Sequence, residues 1–365
     1  MDSVSVAPRE DRHFSRLLGA STLSSIFDTL VPFTQPQRAV QAPNGLIYIV
    51  DAGNNRIQAI DPTGELRHEW GSWGSMPGQL AGPSDLAVHG GEVFVADTLN
   101  DRIEVFDLCG ACRRSVGVQL SRRLNRPVGV AISQASTLFV TDRNNYRVVA
   151  LTTEGEPLFE WGESGTGPGC LDWPAGIAVA GDEVFVCDSG NHRVQVFTAL
   201  DGTFCRSFGG KAILSTGAPD EMKAPFGIAV ACGIVFVSQS ALGYRHVSML
   251  PQGSEARELL ARLCPRFAHG ALHHVSATAD GRLLVCDHDK HCVHALIPMC
   301  ARMRRFRVAG RLIQTLCAWH GRASHRLYAP GGQGYEVAAA SFASCILDAS
   351  CRRAVAPPSS EEHFF

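Results

Sequence analysis

No run of about 18 apolar residues occurs in the 365-residue chain, so no membrane-spanning helix is expected. A surplus of one charge is missing too. Lys+Arg 33 against Asp+Glu 35 leave a formal charge of −2, which excludes wholesale electrostatic binding of nucleic acid but not local patches. The opening stretch "MDSVSVAPREDRHFSRLLGASTLSSIF" lacks the uninterrupted apolar centre of an export signal. Cys 13 is an odd number, and without such a signal most of these thiols are expected to be buried and reduced in a cytoplasmic or nuclear protein. Nucleophile elbows, phosphate-cradling loops and dinucleotide fingerprints are absent, and no segment sustains a helical period. What the chain does have is apolar side chains, 45% of the total, enough for a sizeable core.

Those apolar residues are organised by an internal repeat. "IYIVDAGNNRIQAI" (47–60), "VFVADTLNDRIEVF" (93–106), "LFVTDRNNYRVVAL" (138–151) and "VFVCDSGNHRVQVF" (184–197) share one template. Asp51, Asp97, Asp142 and Asp188 lie 46, 45 and 46 residues apart. Each is followed at +3 by Asn54, Asn100, Asn145 or Asn191, and at +5 by Arg56, Arg102, Arg147 or Arg193. Upstream recur "GPSDLAV", "RPVGVAI", "WPAGIAV" and "APFGIAV"; downstream, "HEWGSWG", "FEWG" and "RSFGG" close three units. Two looser units follow. "VFVSQSALGYRHVSML" (235–250) has Gln239 at the Asp position and Arg245 one place late, and "LLVCDHDKHCVHAL" (283–296) keeps Asp287 but carries Lys290 and Cys292 at the Asn and Arg positions.

Every unit holds four short runs rich in Val, Ile and Phe, as strands prefer. Runs such as "VFV" are apolar on both faces, which a small sheet can bury only between two neighbours. Radial stacking of six such sheets closes a ring. The expected fold is therefore all-β, a six-bladed β-propeller over residues 36–311, with irregular extensions at 1–35 and 312–365. Two ways of completing the last blade are open: an outer strand from "FDTLVPF" (27–33), or one from "MRRFRVAG" (303–310). Past the repeat, "VAAASFASCILDASCRRAVA" reads as a short amphipathic helix and "PPSSEEHFF" as a disordered end.

Four copies of a catalytic loop would be redundant, so the Asp, Asn and Arg positions read as a structural clamp. Asp and Asn favour the turn because their short side chains bond nearby amides, and Arg can pair with the Asp of its own or a neighbouring blade. The Gly of "GIAV" permits close packing near the axis. With "GQLAGPSDLAV", "PGCLDWPAGIAV" and "VFVCDSGNHRVQVF" the chain resembles the NHL-repeat family. That resemblance implies a six-bladed propeller of NHL type used mainly as a binding platform. It also implies relatives that carry a RING domain and act in ubiquitin ligation, relatives that bind RNA, and lyases with metal inside the propeller. No N-terminal array of Cys and His is present, so ligase activity is not expected of this chain by itself.

Three features could carry chemistry. The last unit concentrates His269, His273, His274, His288, His291 and His294, with Asp287 and Cys292; His288, His291 and His294 are the weak metal candidates, and the spacing matches no closed zinc pattern. "CGAC" places Cys109 and Cys112 alone at a turn, without the second pair that zinc requires. Two acid-free stretches carry Arg113, Arg114, Arg122, Arg123 and Arg126, and then Arg302, Arg304, Arg305, Arg307 and Arg311 with Phe306. Arginines with an aromatic can grip phosphates and stack on single-stranded RNA. The resulting expectation is a non-catalytic scaffold with a protein partner, no cofactor and no catalytic residue. RNA binding through the arginine loops and a metal-dependent lyase or hydrolase at the axis are the alternatives.

Overall fold

A computed structural model describes residues 33–210, 222–231, 233–239, 246–251, 272–278, 282–289 and 291–296, together with the strands Ala261–Leu263, Phe306–Val308, Arg311–Ile313, Ser324–Tyr328 and Gly334–Ala338. The chain is all-β, with single 3-10 turns and no α-helix among the described residues. Six sheets form six blades of a propeller. Five are four-stranded antiparallel meanders, and the sixth shows the three strands Leu272–Ala277, Leu283–Asp287 and Cys292–Leu296. The first strand of each blade lies innermost and packs on the first strands of its two neighbours; Pro36–Gln41 packs on both Pro83–His89 and Leu272–Ala277, so the ring is closed.

Alternation along the second strands explains why their runs are apolar on both faces. In Glu183–Asp188, Val184 and Val186 join a core layer with Phe139, Val148 and Ala150 of the third blade. Phe185 and Cys187 point the other way, into a layer with Ile228, Val235 and Val237 of the fifth. Fully burying one such side chain contributes about 2 kcal/mol, and each blade offers several. No blade can bury both faces alone.

Inner strands approach so closely that three blades have no room for a side chain. A Cβ on Gly176 would sit 2.4 Å from the Phe226 carbonyl oxygen, and one on Gly129 2.5 Å from that of Ala175. Hydroxyls stitch the same seam: Thr141 donates to the Ala175 carbonyl at 2.6 Å, and Ser276 donates to that of Ala39 at 2.5 Å. Gly176→Ala should therefore push the fourth and fifth blades apart and cost about 2–3 kcal/mol, read as a lower denaturant midpoint at unchanged slope. A stability within about 0.5 kcal/mol of wild type, the range of ordinary surface substitutions, would show that the seam yields freely.

Neither proposed way of completing the sixth sheet is seen among the described residues. Phe306–Val308 pairs with Arg311–Ile313 in a separate hairpin, not with the sixth sheet, because its hydrogen bonds go to its own sequence neighbour. Of the stretch 27–33 only Phe33 is described; it lies in the layer between first and sixth blades with Ile49, Leu284 and Val293. Residues 312–365 include a second hairpin, Ser324–Tyr328 with Gly334–Ala338. Apart from its first two residues, the stretch read as a helix falls outside the described residues, as does the end read as disordered.

Candidate functional site

In the first four blades the turn after the second strand is built by one acid. Asp51 Oδ2 accepts Arg56 Nε at 2.7 Å and Asn54 Nδ2 at 2.9 Å, all within one blade. Asp97 with Arg102 and Asn100, Asp142 with Arg147 and Asn145, and Asp188 with Arg193 and Asn191 repeat the pattern at 2.7–3.0 Å. The other carboxylate oxygen accepts a backbone N–H from the segment leading into the blade, Thr34, Ala81, Asn125 or Asp172, at 2.6–2.7 Å. That same loop residue's carbonyl accepts the N–H two places after the Asp, at 2.8–3.1 Å. One buried acid thus ties turn, third strand and incoming loop together. Gln239 keeps half of this, accepting Lys223 N–H at 2.8 Å. Opposite Gln239 the register places His246, not Arg245, since the fifth-blade turn is two residues longer.

At +4 a left-handed residue ends the turn, and its side chain reaches the next blade. Asn55 accepts Gly82 N–H at 2.8 Å, Asp101 accepts Arg126 N–H at 2.7 Å, and His192 accepts Ala224 N–H at 3.0 Å. In the sixth blade this residue is His291, whose Nδ1 accepts Gln35 N–H at 3.0 Å and so closes the ring. The three weak metal candidates are therefore not brought together. His288 stacks on His273 with ring centroids 4.5 Å apart and bonds Asp289 at 3.0 Å. His294 alone meets two other ligand types: its Nε2 lies 3.4 Å from Cys292 Sγ and 3.6 Å from Asp287 Oδ2. Burial pulls the His294 imidazole down, but hydrogen bonds with Asp287 and Cys292 outweigh it and push its pKa up to about 9.

A second cluster went unread in the sequence. At the inner-strand place where three blades have Gly, the sixth, first and second carry His274, Arg38 and Asp85. Arg38 Nε lies 3.3 Å from Asp85 Oδ1, and Arg38 Nη1 donates to the Val275 carbonyl at 3.0 Å and to His274 Nδ1 at 3.4 Å. Asp85 also accepts Val130 N–H at 3.0 Å. Burial raises Asp85 to about 6, against the pull of Arg38, and holds His274 well below its ordinary value. The sequence signal was there: "PSDLAV" puts Asp where "PAGIAV" has Gly.

The first arginine stretch divides in two. Arg114 is bidentate to Glu92 at 2.6 and 2.7 Å, and Arg113 pairs with Asp107 at 2.8 Å. Both are neutralised by acids from neighbouring strands, which an acid-free stretch of sequence does not reveal. Arg122, Arg123 and Arg126 are exposed. Arg304 and Arg305 lie outside the described residues, and of Arg307 only the strand is described. Cys112 donates to Glu104 at 3.0 Å, and burial, with that acid, pushes its thiol up to about 11, away from the activated thiolate range.

Arg122, Arg123 and Arg126 share one face of the propeller with the clamp turns and the long blade-to-blade loops. On it stand Trp73, Met76, Leu99, Val118 and Trp173, 37–66% exposed. Arg143 lies over the Trp173 ring at 4.9 Å. Val118 and Arg123 line one open depression with Asn100 and Asn145 between the second and third blades.

Residues 171–197 match the model of the NHL repeat. The chain is an NHL-repeat β-propeller. It is 28% identical to Protein brain tumor of Drosophila melanogaster over 134 residues, 36% of this chain and 12% of that one. It is 51% identical to RING finger protein nhl-1 of Caenorhabditis elegans over 57 residues, 15% of this chain and 6% of that one. The chain thus spans only a small part of the length of these two relatives. Among solved structures, a streptogramin B lyase superposes with a TM-score of 0.53 at 14% identity, covering 82% of this chain and 92% of that one, which speaks for the shared fold. No helix among the described residues is long and apolar enough to cross a membrane.

Proposed function

We propose that this NHL propeller is a non-catalytic platform for a protein partner, docking on the face that carries the clamp turns. One observation carries the reading: five large apolar side chains stand exposed on that face, beside Arg122 and Arg123, while the clamp beneath them is rigidly bonded. Aromatics, Met and Arg on a fixed frame are what protein interfaces enrich. The arginines favour a partner segment with apolar side chains flanked by acids. A substrate-recognition role in ubiquitin ligation is the finer form of this proposal, supported by the relative named for its RING finger.

The test is capture from native lysate by wild type, by Met76→Glu/Leu99→Glu, and by Leu200→Glu on the opposite face. Wild type and Leu200→Glu should retain the same proteins after nuclease at moderate salt, and the double variant should lose them, about tenfold or more. Retention by all three would sink the surface. RNA captured by wild type, lost as salt rises and lost on Arg122→Ala/Arg123→Ala, would transfer the function to the arginines.

A further inference from the structure

The sixth blade breaks the clamp in an informative way. In four blades a guanidinium nitrogen sits 2.7–2.8 Å from the Asp Oδ2. In the sixth, the place of that Arg is taken by Cys292, directly opposite Asp287 in register. Two residues on, on the same side of the strand, stands His294. The corresponding residue of the fourth blade, Gln195, bonds the same acid oxygen at 3.0 Å, so this position also aims at the carboxylate. A fixed organic cation has been replaced by a thiol and an imidazole around a buried acid.

We propose that Asp287, Cys292 and His294 form a zinc site, in which the ion takes the place of the missing guanidinium. Their ligand atoms all lie within 4.8 Å of one another. Tetrahedral zinc with N, O and S ligands has ligand-to-ligand edges of about 3.4–3.6 Å. Two edges already fit, Cys292 Sγ to His294 Nε2 at 3.4 Å and His294 Nε2 to Asp287 Oδ2 at 3.6 Å. The donor set is chemically apt, because thiolate and imidazole favour zinc over the hard cations that seek oxygen alone. Asp287 is fully buried at the end of a core strand while Cys292 and His294 are partly exposed, so the ion has a route in from solvent. Binding releases the Cys292 thiol proton, and any proton on His294 Nε2, to water. With three protein ligands, water completes the shell. The ion pins the second strand of the blade to the third at the point where Arg does so elsewhere.

Cobalt(II) titration of the full, reduced chain tests this. Cobalt should bind at one equivalent with a thiolate-to-cobalt charge-transfer band and the strong visible absorption of tetrahedral geometry, and zinc should displace it. Cys292→Ser should abolish the charge-transfer band, and His294→Gln should weaken zinc binding by about tenfold or more. Both positions are partly exposed, and far-UV circular dichroism checks that each variant folds. Cys109→Ser, at an exposed turn, should leave the band intact. In a second readout, zinc should raise the melting temperature of wild type but not of Cys292→Ser. A missing band, or one that survives Cys292→Ser, overturns the site.

Discussion

Asp188→Ala should lower the melting temperature by on the order of 10 °C, through a loss of about 3–5 kcal/mol. The carboxylate is fully buried and accepts Arg193 Nε at 2.7 Å, Asn191 Nδ2 at 2.9 and 3.0 Å, Gln195 Nε2 at 3.0 Å and Asp172 N–H at 2.7 Å. Removing it leaves a guanidinium only 12% exposed without its counter-charge, and a loop N–H without an acceptor. Such orphaned groups cost more than the pair itself contributes. Asp188→Gln should be milder, since the fifth blade holds its loop through Gln239 in the same way. Asp201→Ala, in an exposed turn, should change little. Thermal and denaturant unfolding of the three variants decides the matter: equal losses for Asp188→Ala and Asp201→Ala would mean that the clamp does not bear on stability.

The second large effect belongs to the charged seam of the sixth, first and second blades. Arg38→Met should cost about 3 kcal/mol at neutral pH, because Asp85 then keeps only backbone N–H donors for a fully buried charge. Replacing both, Arg38→Met with Asp85→Leu, should recover much of that loss, since no charge is then stranded. The same seam makes the fold sensitive to acid. His273 is lowered to about 3 and His274 well below 6.5, mainly by burial, so below about pH 6.5 the unfolded chain takes up protons that the native one refuses. Native stability must therefore fall as pH drops through that range. Asp85 acts oppositely: with a folded pKa of about 6, its contribution is full below the ordinary carboxylate range and lost as pH rises through 6. Two histidines against one acid leave a net loss between about pH 6.5 and 4. Urea midpoints should fall from pH 6 to pH 4.5, whereas between pH 7.5 and 6 the loss is opposed by His294, whose pKa of about 9 makes its contribution grow as pH falls toward 6.5. His274→Gly, the residue other blades have there, should flatten the fall below pH 6. A flat wild-type profile would rule out the buried neutral histidines as its source.

Much of this was legible from the chain because the repeat is a built-in alignment. Asp188, Asn191 and Arg193 announced a turn by spacing alone, and alternation in "VFV" announced a sheet covered on both faces. Partners distant in sequence were not legible. The acids that neutralise Arg114 and Arg113 come from other strands, and the loop amide bound by each clamp acid lies 16–17 residues upstream. His291 looked like a metal ligand because it sits among histidines. Its position, one place before the Arg position, is instead that of Asn55, Asp101 and His192, and position decides its task. The exposed side chains of the loop-bearing face carry no periodic signal at all, since a recognition surface is the part of a repeat that must differ from copy to copy.

Those +4 residues have a consequence for how such a ring can be assembled. An amide, a carboxylate and two imidazoles receive the same N–H from the next blade. The junction asks for an acceptor at a point in space, not for a particular residue, and the neighbour contributes only main chain, which every residue but proline can supply. These four junctions therefore share one connector that survives exchange of the residue supplying it.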